Sequence, residues 1–284
     1  MARIVNFKGK PLTLVGRRLE QGKIATDFKT VSQDLKEVNL LDFADKIKII
    51  TSFPSLDTPV CDLQVKEFNK RAVGLSSEII ILGISKDLPF AQKRFCDNFD
   101  IKNIKILSDY KHSSFGINYC LLIKELNLLA RAALILDKTN IIRYLQIAGE
   151  ITSALNYDEV LNNLKEVLAN PSLSVKGEVP LKCKPCEGGI QSLSKEKIDR
   201  LIASYRGWEL LEDKKIVKQF KFKDFIEAKY FLDLISIVAE EQGHHPTINI
   251  AYNKVKITLS THAANGLTEN DFIMAKIIDE LTVA

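Results

Sequence analysis

The sequence predicts an α/β domain followed by a smaller α+β domain, and three observations carry that expectation. Over residues 1–168, short aliphatic runs alternate with amphipathic segments, the pattern of strands interleaved with helices. Residues 169–180 then hold two prolines, a glycine and two serines, a composition that cannot continue a helix and has little to bury. From 181 to 284 the order reads αββαββα, which folds most simply as a four-stranded antiparallel sheet with helices on one face. The expected domains are therefore 1–168 and 181–284, joined by a linker over 169–180.

Taken in order, residues 2–15 read as a hairpin turning at Gly9-Lys10. Residues 47–50 form an aliphatic run broken once by Lys48, a mostly buried strand. The segment 62–72 is amphipathic, with Leu63, Val65 and Phe68 as its apolar positions. Residues 78–84 are nearly all aliphatic, as suits a strand covered on both faces. A helix over 87–98 has Pro89 in its first turn, where proline is tolerated. Strands at 131–137 and 141–147 and a helix at 157–168 complete the domain. In the second domain, helices are expected from Ser194 to Tyr205, from Lys223 to Gln242 and from Thr268 to Glu280. The middle one carries Ile226, Tyr230, Leu234 and Ile237 at helical spacing and Gly243 as its C-cap. Strands fall at 208–211, 215–222, 247–252 and 255–261.

The whole chain has 284 residues, 46% of them hydrophobic and 27% charged, the composition of a globular protein. No apolar run approaches the about 18 residues that span a bilayer. The N-terminus, MARIVNFKGK, lacks the apolar stretch of a secretory signal, so a cytoplasmic location with no membrane association is expected. A net charge of +4, dispersed along the chain, gives no reason to expect a nucleic-acid partner. Five cysteines in such a chain point to redox or metal chemistry rather than a structural disulfide framework.

The chemistry of the first domain centres on FPSLDTPVC, residues 53–61. Strand, proline-punctuated turn and helix put Cys61 in a helix's first turn, where free N–H groups and the positive dipole end stabilise an anion. A cysteine there is biased toward the attacking thiolate. Thr58 can offer a hydroxyl to the same pocket or serve as a helix cap. The spacing Pro54-x-x-x-Thr58-x-x-Cys61 resembles the peroxidatic motif of the peroxiredoxins. The fuller string resembles their thiol peroxidase branch, the atypical two-cysteine enzymes. SKDLPFAQKRFC (85–96), LARAALILD (129–137) and EIT (150–152) continue the likeness over residues 1–168.

That resemblance implies a thioredoxin-like fold and reduction of hydrogen peroxide and organic hydroperoxides, with thioredoxin as reductant. It makes Cys61 the peroxidatic and Cys96 the resolving cysteine, paired as a redox disulfide. Arg131 becomes the residue that steadies thiolate and oxyanion, Pro54 part of the substrate pocket, and Glu150 at most a supporting group. Cys120 matches nothing in the pattern and is expected to be a core thiol.

In the second domain, His244, His245 and His262 fall in one hairpin. With a turn near Asn253, His244 and His262 are each nine residues from it, so strand pairing brings them close. Such a cluster suits either a metal triad or acid–base catalysis near neutral pH. EQGHHP (241–246), YNKV (252–255), LSTH (259–262) and GLTEND (266–271) resemble the signature of pterin-4a-carbinolamine dehydratase. That family dehydrates 4a-hydroxytetrahydrobiopterin to the quinonoid dihydropterin without a metal or other cofactor. By position, His244 and His262 become the acid–base pair and His245 a further catalytic residue that helps hold the pterin. Asp271 orients the site or binds substrate, while Thr268-x-x-Asp271 also reads as a helix capping arrangement. Ile248 stands near the place where some members carry a tryptophan, which removes one aromatic contact to the pterin.

Cys183 and Cys186 form a lone CxxC just before the second domain, half of a zinc site with nothing to complete it; the dehydratase resemblance implies an inherited feature, and the alternative is a dithiol that passes electrons to a Cys61–Cys96 disulfide. The sequence thus predicts a bifunctional homo-oligomer. The competing expectation is a thiol peroxidase whose second domain serves mainly for assembly.

Overall fold

The computed structural model describes residues 3–171, 182–184 and 191–281. The chain folds as two compact units, Met1–Pro180 and Leu181–Val283. Of the expected linker, residue 169 still belongs to a helix, and residues 172–180 lie outside the described residues.

The first unit begins with the hairpin β1 (Arg3–Phe7) and β2 (Lys10–Val15). Its turn residues Lys8 and Gly9 both have positive φ, 51° and 77°, the conformation that two-residue hairpin loops demand. The central sheet contains β3 (Lys29–Val31), β4 (Glu37–Asn39), β5 (Ile47–Ser52), β6 (Ile79–Ser85), β7 (Lys105–Ser108), β10 (Ala132–Leu136) and β11 (Ile142–Ile147). Its order is β11-β10-β5-β6-β7-β3-β4. The pairs β5–β6 and β6–β7 are parallel, and the flanking pairs are antiparallel. Helices α1 (Pro59–Arg71), α2 (Pro89–Asn98), α3 (Ser114–Asn118) and α4 (Tyr157–Ala169) complete the unit, together with β8 (Leu122–Ile123) and β9 (Leu128–Leu129), which join the first hairpin. Strands β3, β4 and β7 to β9 are two to four residues long and too short to show a period.

Alternation along β5 decides the layers. Ile47 and Ile49 meet Val65 and Phe68 of α1, Phe95 and Cys96 of α2, and Val160, Leu164 and Val167 of α4 in one apolar cluster. Lys48, facing the other way, is also fully buried; its ammonium donates to Asn140 Oδ1 at 2.6 Å, which makes the burial tolerable.

The expected apolar face of α1 is partly corrected. Leu63 is 62% exposed, and the buried side is Cys61, Gln64, Val65 and Phe68. These positions share one stripe at i, i+3, i+4 and i+7, so a glutamine takes the place that an apolar residue would fill.

The second unit orders its strands β12 (Glu209–Leu211), β13 (Lys215–Lys221), β15 (Lys254–Leu259) and β14 (Thr247–Ala251), all antiparallel. Helices α5 (Lys195–Ile202), α6 (Phe225–Gln242) and α7 (Glu269–Glu280) give the expected αββαββα sequence. Along β15, Val255, Ile257 and Leu259 are buried while Lys254 and Lys256 are exposed, the signature of a sheet covered on one face. On α6 the buried residues are Ala228, Phe231, Leu234, Ile235, Val238 and Ala239, whereas Ile226 is 68% exposed. This helix is apolar on more than one side, and packing rather than spacing chose its core stripe. Among the described residues no helix is long and apolar enough to cross a membrane.

Candidate active sites

In the first unit, β5 delivers the chain to a turn that α1 leaves through Pro59, at its first position. Cys61 therefore sits third in the helix, buried, at the positive end of its dipole, with its own N–H donating to the N-cap carbonyl, Thr58 O, at 3.1 Å. Asp87 braces the turn. Its carboxylate accepts from Ser55 Oγ at 2.7 Å, from Leu56 N at 2.8 Å and from Ser85 Oγ at 2.8 Å. Thr58 is the N-cap residue by backbone conformation but makes no side-chain cap bond. Its exposed hydroxyl donates to Ser55 O at 3.0 Å, so of its two expected roles that of a side-chain cap is not taken up. Pro54 is buried beside this turn.

Arg131 precedes β10 and is 1% exposed. Its Nη2 donates to Cys61 Sγ at 3.2 Å, its Nε donates to Ile151 O at 3.0 Å, and its Nη1 donates to Gln64 Oε1. Gln64 is itself fixed, donating to Thr51 Oγ1 at 2.5 Å and to Ser52 O at 3.1 Å. The guanidinium is thus held by Ile151 O and by an anchored Gln64, and its charge is aimed at the sulfur. Gln64 and Asp87 were not foreseen. A polar residue three positions after Cys61, on the buried stripe, was the available signal for Gln64. Glu150 has a different place from a catalytic group: it accepts from Gly9 N at 3.2 Å and from Thr152 Oγ1 at 2.8 Å, bracing the first hairpin turn.

Cys96 lies in the last turn of α2 and shares the apolar cluster with Cys61; both are free thiols. Burial pushes the Cys96 thiol up from its ordinary pKa, against a hydrogen bond that Gln33 Nε2 donates to Sγ at 3.1 Å. Cys120 is buried in the core.

In the second unit the carboxylate of Asp271 links the histidine segments. His244 Nε2 lies 2.8 Å from Oδ1, while Oδ2 accepts from Thr261 Oγ1 and from Thr268 N, each at 2.8 Å. An ionised carboxylate only accepts, so Nε2 carries the proton and Nδ1 is the basic nitrogen of neutral His244. Asp271 thereby brings together His244 and Thr261, the neighbour of His262. Asp271 is fully buried, closes the capping box of α7 and holds His244. His245 is exposed and pairs with Glu240 at 3.1 Å. His262 is exposed in a 3-10 turn, His262–Ala264, just after β15. Among the described residues no three His, Cys, Asp or Glu side chains are grouped to hold a metal ion. Cys183 is buried, with its N–H donating to Gln242 Oε1 at 2.9 Å; Cys186 lies outside the described residues.

Comparison with known proteins divides at the same place as the units. A Redoxin family model matches residues 20–161, and a pterin 4 alpha carbinolamine dehydratase model matches residues 191–281. A thiol peroxidase of Aquifex aeolicus (strain VF5) is 43% identical over 171 residues, 59% of this chain and 100% of its own length. The thiol peroxidase of Staphylococcus aureus (strain MRSA252) is 43% identical over 163 residues, 57% of this chain and 98% of its own. A solved peroxiredoxin-like protein from Aquifex aeolicus is 42% identical with a TM-score of 0.55, covering 59% of this chain and 98% of that one. The buried thiol and its arginine thus stand in a first unit with full-length thiol peroxidase relatives, and the histidines in a segment with its own family match. The chain belongs to the thiol peroxidases of the redoxin family through its first unit, and its second unit is a pterin 4 alpha carbinolamine dehydratase domain.

Proposed function

We propose that one chain performs both reactions. In the first, the Cys61 thiolate attacks the O–O bond of hydrogen peroxide or an organic hydroperoxide. Sulfur takes one oxygen and becomes a sulfenic acid; the other oxygen leaves with the bonding pair, is protonated and departs as water or an alcohol. Cys96 then attacks the oxidised sulfur, forming the Cys61–Cys96 disulfide and releasing water. A dithiol protein of the thioredoxin type returns two electrons and two protons. The observation that carries this reading is the 3.2 Å approach of Arg131 Nη2 to Cys61 Sγ at a helix N-terminus. There a fixed positive charge favours the thiolate and the oxyanion that develops as the O–O bond breaks.

The second unit dehydrates 4a-hydroxytetrahydrobiopterin to the quinonoid dihydropterin. Dehydration needs one group that gives a proton to the departing hydroxyl and another that takes one from the ring. His244 and His262 fill these roles, His245 holds the pterin, and Asp271 fixes His244 from behind. A homo-oligomer in the reducing cytoplasm suits both halves.

Two assays on the intact chain test the proposal. Peroxide consumption with a thioredoxin system should vanish in Cys61→Ser. Dehydration of freshly generated 4a-carbinolamine should be lost in His262→Ala. Wild-type protein without dehydration activity would overturn the second half and leave that unit an assembly module.

A further inference from the structure

The two cysteines of the peroxidase unit occupy opposite helix ends. Cys61 meets the positive end of a helix dipole and a guanidinium, whereas Cys96 lies in the last turn of α2, where the negative end of the dipole opposes an anion. Cys96 is also 8% exposed within an apolar cluster, and its carbonyl accepts from Ile101 N at 3.0 Å, closing the helix end. The charged groups that act on it come from its own helix, Lys93 and Asp97, and they oppose each other. From outside the helix, the side chain that reaches the sulfur is Gln33, in the loop between β3 and β4, whose Nε2 donates to Sγ at 3.1 Å.

We propose that Gln33 is a positioning residue for disulfide formation, holding the Cys96 sulfur and stabilising the thiolate that attacks oxidised Cys61. This rests on Cys96 being the resolving residue. The step converts Cys61–SOH and Cys96–SH to the disulfide and one water: the Cys96 proton and the sulfenic oxygen leave together, and the S–S bond replaces the S–O bond. A helix C-terminus keeps Cys96 from competing for peroxide, and a carboxamide can lower the cost of its ionisation without adding a charge. Gln33 also lines a cavity of about 460 Å³ with Ile79, Ile81, Ile101 and Ile104.

The test is rapid quenching of reduced full-length protein after one equivalent of peroxide. Thiol alkylation and mass analysis then separate sulfenic acid, sulfinic acid and disulfide. Gln33→Met keeps the length and removes the donor; Gln33→Glu replaces the donor with an acceptor. Loss of a hydrogen bond to an anion should slow disulfide formation, relative to sulfenic acid formation, about ten- to a hundredfold. More Cys61 should reach the sulfinic state. The Glu variant should be slower than the Met variant at neutral pH. In a Cys61→Ser background, alkylation of Cys96 against pH should show its midpoint raised by about one unit in Gln33→Met. Unchanged disulfide rates and an unchanged alkylation midpoint would overturn the role of Gln33. A wild type that forms no Cys61–Cys96 disulfide would instead overturn the resolving role itself, and Gln33 with it.

Discussion

Asp271→Asn is the substitution that most directly separates structure from chemistry in the second unit. The carboxylate is fully buried and makes three contacts of 2.8 Å: to His244 Nε2, to Thr261 Oγ1 and to the backbone N of Thr268. Asparagine keeps the shape and one acceptor oxygen; with that oxygen at the Oδ2 position the capping and Thr261 bonds both survive, and the amide nitrogen, at the Oδ1 position, must find an acceptor on His244. His244 can supply one only by changing tautomer, which moves its proton from Nε2 to Nδ1 and removes the base from the side facing away from Asp271. Hydrogen bonds to a charged group are worth about 1.5–3 kcal/mol each, and a capping bond about 1 kcal/mol. With partial replacement by the amide, a net destabilisation of about 2–3 kcal/mol follows.

The readout exists already. The chain has one tryptophan, Trp208, which is 5% exposed in this unit and donates to Asp279 Oδ2 at 3.0 Å. Urea unfolding of the full chain followed by Trp208 fluorescence reports this unit selectively. Dehydratase turnover should fall at least about tenfold through the wrong tautomer. A transition within about 0.5 kcal/mol of wild type, with turnover unchanged, would show that the Asp271 network neither holds the helix nor sets the histidine.

In the first unit, Arg131→Met should slow peroxide reduction about a hundredfold or more, measured as the second-order rate of thiol oxidation, because the sulfur loses its fixed donor. The same change strands Gln64 Oε1 and Ile151 O in the core and should destabilise by about 3 kcal/mol. Phe68→Ala should cost about 3–5 kcal/mol. Leu63→Ala, on the 62% exposed side of the same helix, should cost under about 0.5 kcal/mol, both by thermal unfolding. Burial raises the Tyr119 phenol well above its ordinary pKa, with its hydroxyl donating to Thr26 O at 2.9 Å. The folded state therefore keeps this proton longer than the unfolded chain. That stability is fully present below about pH 10 and is lost as pH rises through the higher folded value. Tyr119→Phe should flatten the alkaline limb of stability against pH while costing about 1 kcal/mol at neutral pH.

What the sequence determined by itself is local. Pro59 starts a helix and so places Cys61 in its first turn; Gly243 ends one and leads directly into the paired histidines. Alternation of Val255, Ile257 and Leu259 with lysines marks a half-covered sheet. These follow from backbone sterics and periodicity acting over a few residues. The tertiary structure alone decided which side chains meet. Arg131 reaches Cys61 across 70 positions, Gln33 reaches Cys96 across 63, and Asp271 reaches His244 across 27. Leu63 and Gln64 stand side by side on one helix, yet the glutamine is buried because Arg131 needs an acceptor there and the leucine is left in solvent. Buried polar groups must find partners wherever the fold brings them, and no spacing along the chain records where that will be.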